Sequence, residues 1–201
     1  MAISKEFQKR FIELTNDIDV KSKDKKAEVI GINRSTFSNA FNYGIVPKTP
    51  SLIRIADYFN ISVDYLIANT NEDYFDRSTH PKNFFVRLEE LRIEHNIKTR
   101  YELAQKLLIH RNNIAQWYKL DCLPLIDDLI IIASYFNVSV DYLLGRTDDR
   151  TPLKYKSAIP LREQRRRIYC SSLSRQTKIT IRMRIVNDYE YSSTYSYSHA
   201  E

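Results

Sequence analysis

The sequence predicts an all-α protein made of two tandem copies of one unit of about five short helices, followed by a basic tail. Three observations carry this expectation. Phe59-Asn60-Ile61-Ser62-Val63-Asp64-Tyr65-Leu66 returns 77 residues later as Phe136-Asn137-Val138-Ser139-Val140-Asp141-Tyr142-Leu143. The same offset, without a gap, pairs Phe7 with Phe84, Leu14 with Leu91, Ala27 with Ala104, Arg34 with Arg111 and Pro47 with Pro124. Both copies show helical apolar spacing, and three glycines in the whole chain leave little room for hairpins.

In the first copy, Phe7, Phe11 and Leu14 recur at helical spacing and define a first helix. Ser22 can cap a second, with Asp24 favourable in its first turn and Ala27 and Ile30 facing inward. Gly31 suits the left-handed position at that helix's end. Asn33 can cap a third helix through Phe37, Ala40 and Phe41. Pro47 and Pro50 mark the loop before a fourth, whose stripe is Leu52, Ile53, Ile55, Ala56 and Phe59. Ser62 then caps a short last turn ending at Leu66.

The second copy repeats the plan. Thr99-Arg100-Tyr101-Glu102 reads as a capping box, and Leu103, Leu107, Ile109, Ile114 and Trp117 continue the core pattern. The expected boundaries are 1–70 and 82–150 for the two units, 71–81 for a polar connector in which Tyr74 and Phe75 can pack on a domain, and 151–201 for the tail. In the tail, Ile179, Ile181, Met183 and Ile185 alternate at strand-like period, and the Tyr/Ser-rich end reads as disordered.

The net charge of +6 suggests a polyanion partner until it is located. Residues 1–150 carry 21 Lys+Arg and 21 Asp+Glu, so the excess belongs entirely to the tail, which includes Arg165-Arg166-Arg167. A DNA-facing surface in the copies must therefore come from sorting charges onto one face. No apolar run approaches the roughly 18 residues of a membrane span, and Lys5, Glu6, Lys9 and Arg10 argue against a secretory leader. The expectation is a soluble, intracellular protein. Cys122 and Cys170 offer no metal spacing or disulfide framework, and the four histidines have no partner at ligand spacing. No nucleophile elbow or glycine-rich phosphate loop is present, so no cofactor, metal, small-molecule ligand or catalysis is expected. The aromatic residues Tyr65, Trp117, Tyr135, Phe136 and Tyr142 read as core or rim packing. Asp64 and Asp141 read as favourable charges on their own helix N-termini.

The order of short helices, with a tight turn between the second and third, resembles the helix-turn-helix domains of phage repressors, the Cro/cI-type or xenobiotic-response-element family with the lambda-repressor-like fold. The match is closest in Glu102-Leu103-Ala104-Gln105-Lys106-Leu107, in Ile114-Ala115-Gln116-Trp117, and in the run from Ile132 to Asp149. That last run resembles the end of such domains in Gram-positive bacteria and their phages. The resemblance implies double-stranded DNA as partner. It makes the third helix of each copy the base-reading element, through Arg34, Ser35, Thr36, Ser38 and Asn39 in the first and Arg111, Asn112, Asn113 and Gln116 in the second. Lys23, Asn42, Arg100 and Lys119 would then hold phosphates. Ala27 and Ala104 are small where two helices would cross.

Several positions depart from the family pattern. Leu108 and His110 stand where glycine and a small cap are preferred. Tyr43 and Leu120 occupy the place of a glycine after the third helix, with Gly44 one residue late, and Lys26 replaces a core Leu. The leading reading is a sequence-specific transcriptional regulator of phage or mobile-element repressor type, cytoplasmic and nucleoid-associated in a bacterium, reading two unequal half-sites. The stretch of about 14 residues between the two helical bundles, which end near 68 and begin near 82, reaches far enough to span them. A homodimer reading DNA through one copy is the competing assembly. The competing function is a protein-interaction module (antitoxin, antirepressor or adaptor) in which one copy no longer touches DNA.

Overall fold

A computed structural model describes residues 3–150 apart from 69, 72, 74 and 75. The tail and the connector aromatics Tyr74 and Phe75, with the expectations attached to them, lie outside the described residues. All regular structure described is helical: α1 (Lys5–Asn16), α2 (Lys23–Ile30), α3 (Arg34–Tyr43), α4 (Thr49–Tyr58), α5 (Val63–Leu66), α6 (Phe84–Glu94), α7 (Arg100–Leu107), α8 (Arg111–Leu120), α9 (Ile126–Phe136) and α10 (Val140–Leu143). An isolated antiparallel bridge between Ile3 and Ile45 is the sole strand-type pairing among the described residues.

The starts of α2, α3, α4 and α5 recur at an offset of 77 in α7, α8, α9 and α10. So do the chain reversals that end the helices. Left-handed backbone falls on Gly31 (φ 78°) and Leu108 (54°), on Gly44 (64°) and Asp121 (47°), on Asn60 and Asn137 (54° each), and on Ala68 (64°) and Gly145 (72°). Backbone conformation has outlasted side-chain identity at these corners, since Leu, Asp and Ala hold a geometry that glycine adopts without strain. Gly44 is therefore in register with Asp121. The third helices also end in register, at Tyr43 and Leu120, each followed by that left-handed residue.

The caps show which local expectations need amending. Asn33 accepts from the Thr36 amide at 2.7 Å, Ser62 from Tyr65 and Ser139 from Tyr142. Ser22 has cap backbone geometry, yet its side chain makes no cap hydrogen bond. In the expected capping box, Thr99 accepts from the Glu102 amide at 3.1 Å. The Glu102 carboxylate accepts from the Lys98 amide at 3.0 Å, one residue earlier than the Thr99 amide it was expected to satisfy. His110 substitutes for a small cap by accepting from the Asn112 amide through Nδ1.

Apolar residues of both helix sets join one continuous core. Phe7, Phe11 and Phe37 fill the first set, while Leu88, Leu91, Leu103 and Ile132 fill the second. Lys26, aligned with the buried Leu103, is half-buried and donates its ammonium to the Thr15 carbonyl near the end of α1. Trp117 and Tyr142 are buried, and Tyr65 and Tyr135 pack on the core as half-buried residues.

Residues 3–150 belong to one compact unit, and α5 packs on α10. Asp64 and Asp141, read from sequence as serving their own helices, lie at this contact and are 0% and 2% exposed. Each serves the other's helix. Asp141 accepts from the Val63 and Asp64 amides at 3.1 and 3.2 Å. Asp64 Oδ2 accepts from the Val140 and Asp141 amides at 2.8 and 3.3 Å. A contact in which position i meets j and j meets i is the signature of local twofold symmetry, here inside one chain.

The connector is docked rather than a free tether. Arg77 donates to Asn60 and to the Asp57 carbonyl, and Ser78 pairs through its backbone with Arg146 and through its hydroxyl with Asp148. Packing, and not connector reach, sets the spacing of the two helix sets.

Candidate nucleic-acid interface

The two turns between second and third helix have the same hydrogen bonding. Ile32 donates to the Ala27 carbonyl at 3.0 Å, and Ile109 to Ala104 at 3.0 Å. Gly31 and Leu108 donate to Glu28 and Gln105. Ile32 and Ile109 are buried under the turn, and Ala27 and Ala104 are buried at the crossing. With no side chain beyond Cβ at that crossing, α2 lies close against α3 and α7 against α8. The third helix of each set is thereby fixed by its apolar face, Phe37 and Ala40 in α3, Ile114 and Trp117 in α8.

The opposite faces hold the expected base-reading residues. Arg34, Ser35 and Asn39 are exposed and Thr36 and Ser38 half-buried, while Arg111, Asn112, Asn113 and Gln116 are all exposed. The two sets differ in what these side chains already touch. Arg34 Nε donates to Asp24 Oδ1 at 2.8 Å, and the Ser35 hydroxyl turns back to Asn33. Among the described residues Arg111 has no ion-pair partner, because Tyr101 takes the place of Asp24 and bonds Gln105 instead.

The expected phosphate ligands pair in register. The Lys23 ammonium lies 4.2 Å from the Phe41 ring centroid, and the Arg100 guanidinium 3.5 Å from that of Tyr118, at the same 77-residue offset. Lys23 also donates to Asn42 at 3.0 Å, so two of the expected ligands sit side by side. Lys119 is exposed on the last turn of α8. The aromatic face helps to hold each cation in place, and Arg100 is in addition ion-paired to Glu89.

Sequence reasoning missed Glu89. It accepts from Arg100 at 2.8 Å, from Arg92 and from the Tyr118 hydroxyl at 2.7 Å. Burial alone would raise its carboxyl, but the bonds from Tyr118, Arg100 and Arg92 outweigh that and hold it below the ordinary range. Burial, then Glu89 itself, pushes the Tyr118 phenol upward. The first copy has Ile12 in place of Glu89, so comparison of the copies could not reveal this network. The concerted changes Lys23 to Arg100 and Phe41 to Tyr118 were its visible trace.

A shallow cleft of about 210 Å³ lies between the α3 face and the loop into α4, lined by Asn33, Thr36, Asn39, Pro47 and Lys48 among others. No described helix is long and apolar enough to cross a membrane, and no cluster of potential metal ligands occurs among the described residues.

Comparison with known proteins finds two similarities. An uncharacterized helix-turn-helix-type transcriptional regulator of Bacillus subtilis, YobD, is 39% identical over 66 residues, 33% of this chain. The match spans 58% of that relative's length, so the chain covers little more than half of it. No solved structure matches. Residues 78–150, the span that holds α6 to α10, match the family described as the bacteriophage CI repressor helix-turn-helix domain.

Proposed function

We propose that the chain is a sequence-specific DNA-binding transcriptional regulator of phage or mobile-element repressor type, working by occupancy rather than by a chemical step. The observation that carries this reading is the α7–turn–α8 geometry. A closely packed turn presents Arg111, Asn112, Asn113 and Gln116 outward at a helix N-terminal half, in the span matched to a CI repressor domain. Arginine bonds guanine O6 and N7, and asparagine bonds adenine N6 and N7. Arg100 and Lys119 flank this face as phosphate ligands, with Lys23 and Asn42 in the same role beside α3.

The reading extends to residues 1–70 as a second domain of the same kind, with 71–81 as connector, 82–150 as the matched domain and 151–201 as a basic auxiliary segment. The duplicated turn supports it, since α2 and α3 reproduce the hydrogen bonds of α7 and α8. The reciprocal Asp64–Asp141 contact supports a fixed pair of base-reading helices in one chain. Two arms read through such a pair run as an inverted repeat with unequal sequences, because Arg34-Ser35-Thr36 differs from Arg111-Asn112-Asn113.

Binding of the full chain to a random duplex pool, titrated with salt, tests the function. Recovery of an enriched sequence with affinity falling steeply as salt rises supports it. The family match, which covers residues 78–150 and not the first copy, favours a second reading, in which the first copy has turned to protein contact. Enrichment confined to the second copy's arm would select that reading.

A further inference from the structure

We propose that Asp24 is a specificity-determining residue of the first helix set, which presents Arg34 to DNA in a single orientation. This rests on the DNA-binding reading above and sharpens it. Arg34 and Asp24 have side chains 78% and 52% exposed, so neither is tied down by burial, and the bond between them is the contact that biases the guanidinium toward one orientation. The bond uses Nε, at 2.8 Å from Asp24 Oδ1. A guanidinium has five N–H donors in a rigid plane. With Nε engaged, the two Nη groups at the far end remain available as a parallel fork, the geometry that matches guanine O6 and N7.

Asp24 itself is anchored in the first turn of α2, where its charge is favoured by the helix N-terminus. An Arg free to rotate pays to be ordered on binding, whereas one held in advance does not. The second set lacks the device, with Tyr101 at the equivalent position and, among the described residues, no ion-pair partner for Arg111. The two arms should therefore differ in stringency, with one position under α3 restricted to guanine and the equivalent position under α8 more tolerant. An acidic side chain beside the phosphates also opposes non-specific adhesion, which sharpens the contrast between right and wrong sequence.

Selection from a random duplex pool with the full chain, followed by affinities for the preferred duplex and its single-base variants, tests this. Arg34→Ala should abolish a guanine preference of about tenfold to a hundredfold at one position. Asp24→Asn should lower that same preference by about twofold to tenfold, the cost of ordering one long side chain, and leave other positions unchanged. The double variant should behave as Arg34→Ala alone. A uniform rise in affinity for all sequences in Asp24→Asn, with the guanine preference intact, would overturn the proposal and leave Asp24 as a mere neutraliser. Enrichment of a site with no dependence on Arg34 would overturn it too. Absence of any enriched sequence with wild-type protein would instead remove the DNA-binding reading on which it rests.

Discussion

Asp64 and Asp141 exchange roles across the contact between α5 and α10, each carboxylate accepting two backbone amides from the helix that carries the other. The exchange satisfies four amide donors that would otherwise be buried at short helix N-termini. Arg146, whose side chain is 8% exposed, adds an ion pair to Asp141 and reaches Asp57 at 3.0 Å. The positive charge offsets two buried carboxylates that would otherwise repel.

Removing one partner from such a cluster leaves the others without compensation. Asp141→Ala strands the Val63 and Asp64 amides and takes from Arg146 the more buried of its carboxylate partners, and should cost about 3–5 kcal/mol. Urea unfolding of the full chain measures this. A loss below about 1 kcal/mol would show that the contact contributes little to the fold.

Gly145 gives a second stability test. Its φ is +72°, and a Cβ added there would meet the Lys82 carbonyl oxygen at 1.7 Å, an overlap that requires backbone movement. Gly145→Ala should destabilise by about 2–4 kcal/mol, combining left-handed strain with overpacking. Ala68, its counterpart 77 residues earlier with φ +64°, already tolerates a Cβ. Ala68→Gly should change stability by less than about 1 kcal/mol. Paired thermal unfolding of the two variants checks the contrast, and similar shifts would contradict it.

The pH dependence follows from Glu89. Its folded carboxyl is held below the ordinary value of 4.5, so its contribution is complete above that value. The contribution is lost as pH falls through the lower folded value. Wild type should therefore lose its stability advantage over Glu89→Gln as urea unfolding is repeated from pH 6 down to about pH 3. A constant difference across that range would mean the carboxylate charge has no part in holding Arg92, Arg100 and Tyr118.

Much of the helical architecture was legible because apolar spacing and cap residues are local signals. Asn33, Ser62 and Ser139 are examples in which a short polar side chain needs only the next turn of its own chain. The Asp64–Asp141 exchange was not legible, because an acid near a helix start looks the same whether it serves its own helix or another. Leu108 marked a place where glycine was expected, and it holds φ 54° because the buried Ile109 and Ala104 fix the turn around it. In the candidate site, the positions followed from the repeat, but the partners did not. Asp24 beside Arg34 and Glu89 beside Arg100 arise from residues that differ between the copies.

Roles on the α8 face separate by the form of the loss. Arg111→Ala or Asn112→Ala should cost about 1–3 kcal/mol on the preferred duplex and relax discrimination at one base pair. Arg100→Ala should weaken all sequences alike and lower the salt slope by about one. Binding isotherms at several salt concentrations check both. Unchanged affinity in all three variants would move the interface elsewhere.

Footprinting of the full chain on the duplex it selects shows whether one molecule reads DNA through both α3 and α8. One chain should bind per site, with two protected patches about 34 Å apart on one face of the duplex. The patch under α3 should be lost in Arg34→Ala with Asn39→Ala, and the patch under α8 in Arg111→Ala with Asn112→Ala. A single patch, or two chains bound to identical arms, would contradict the account.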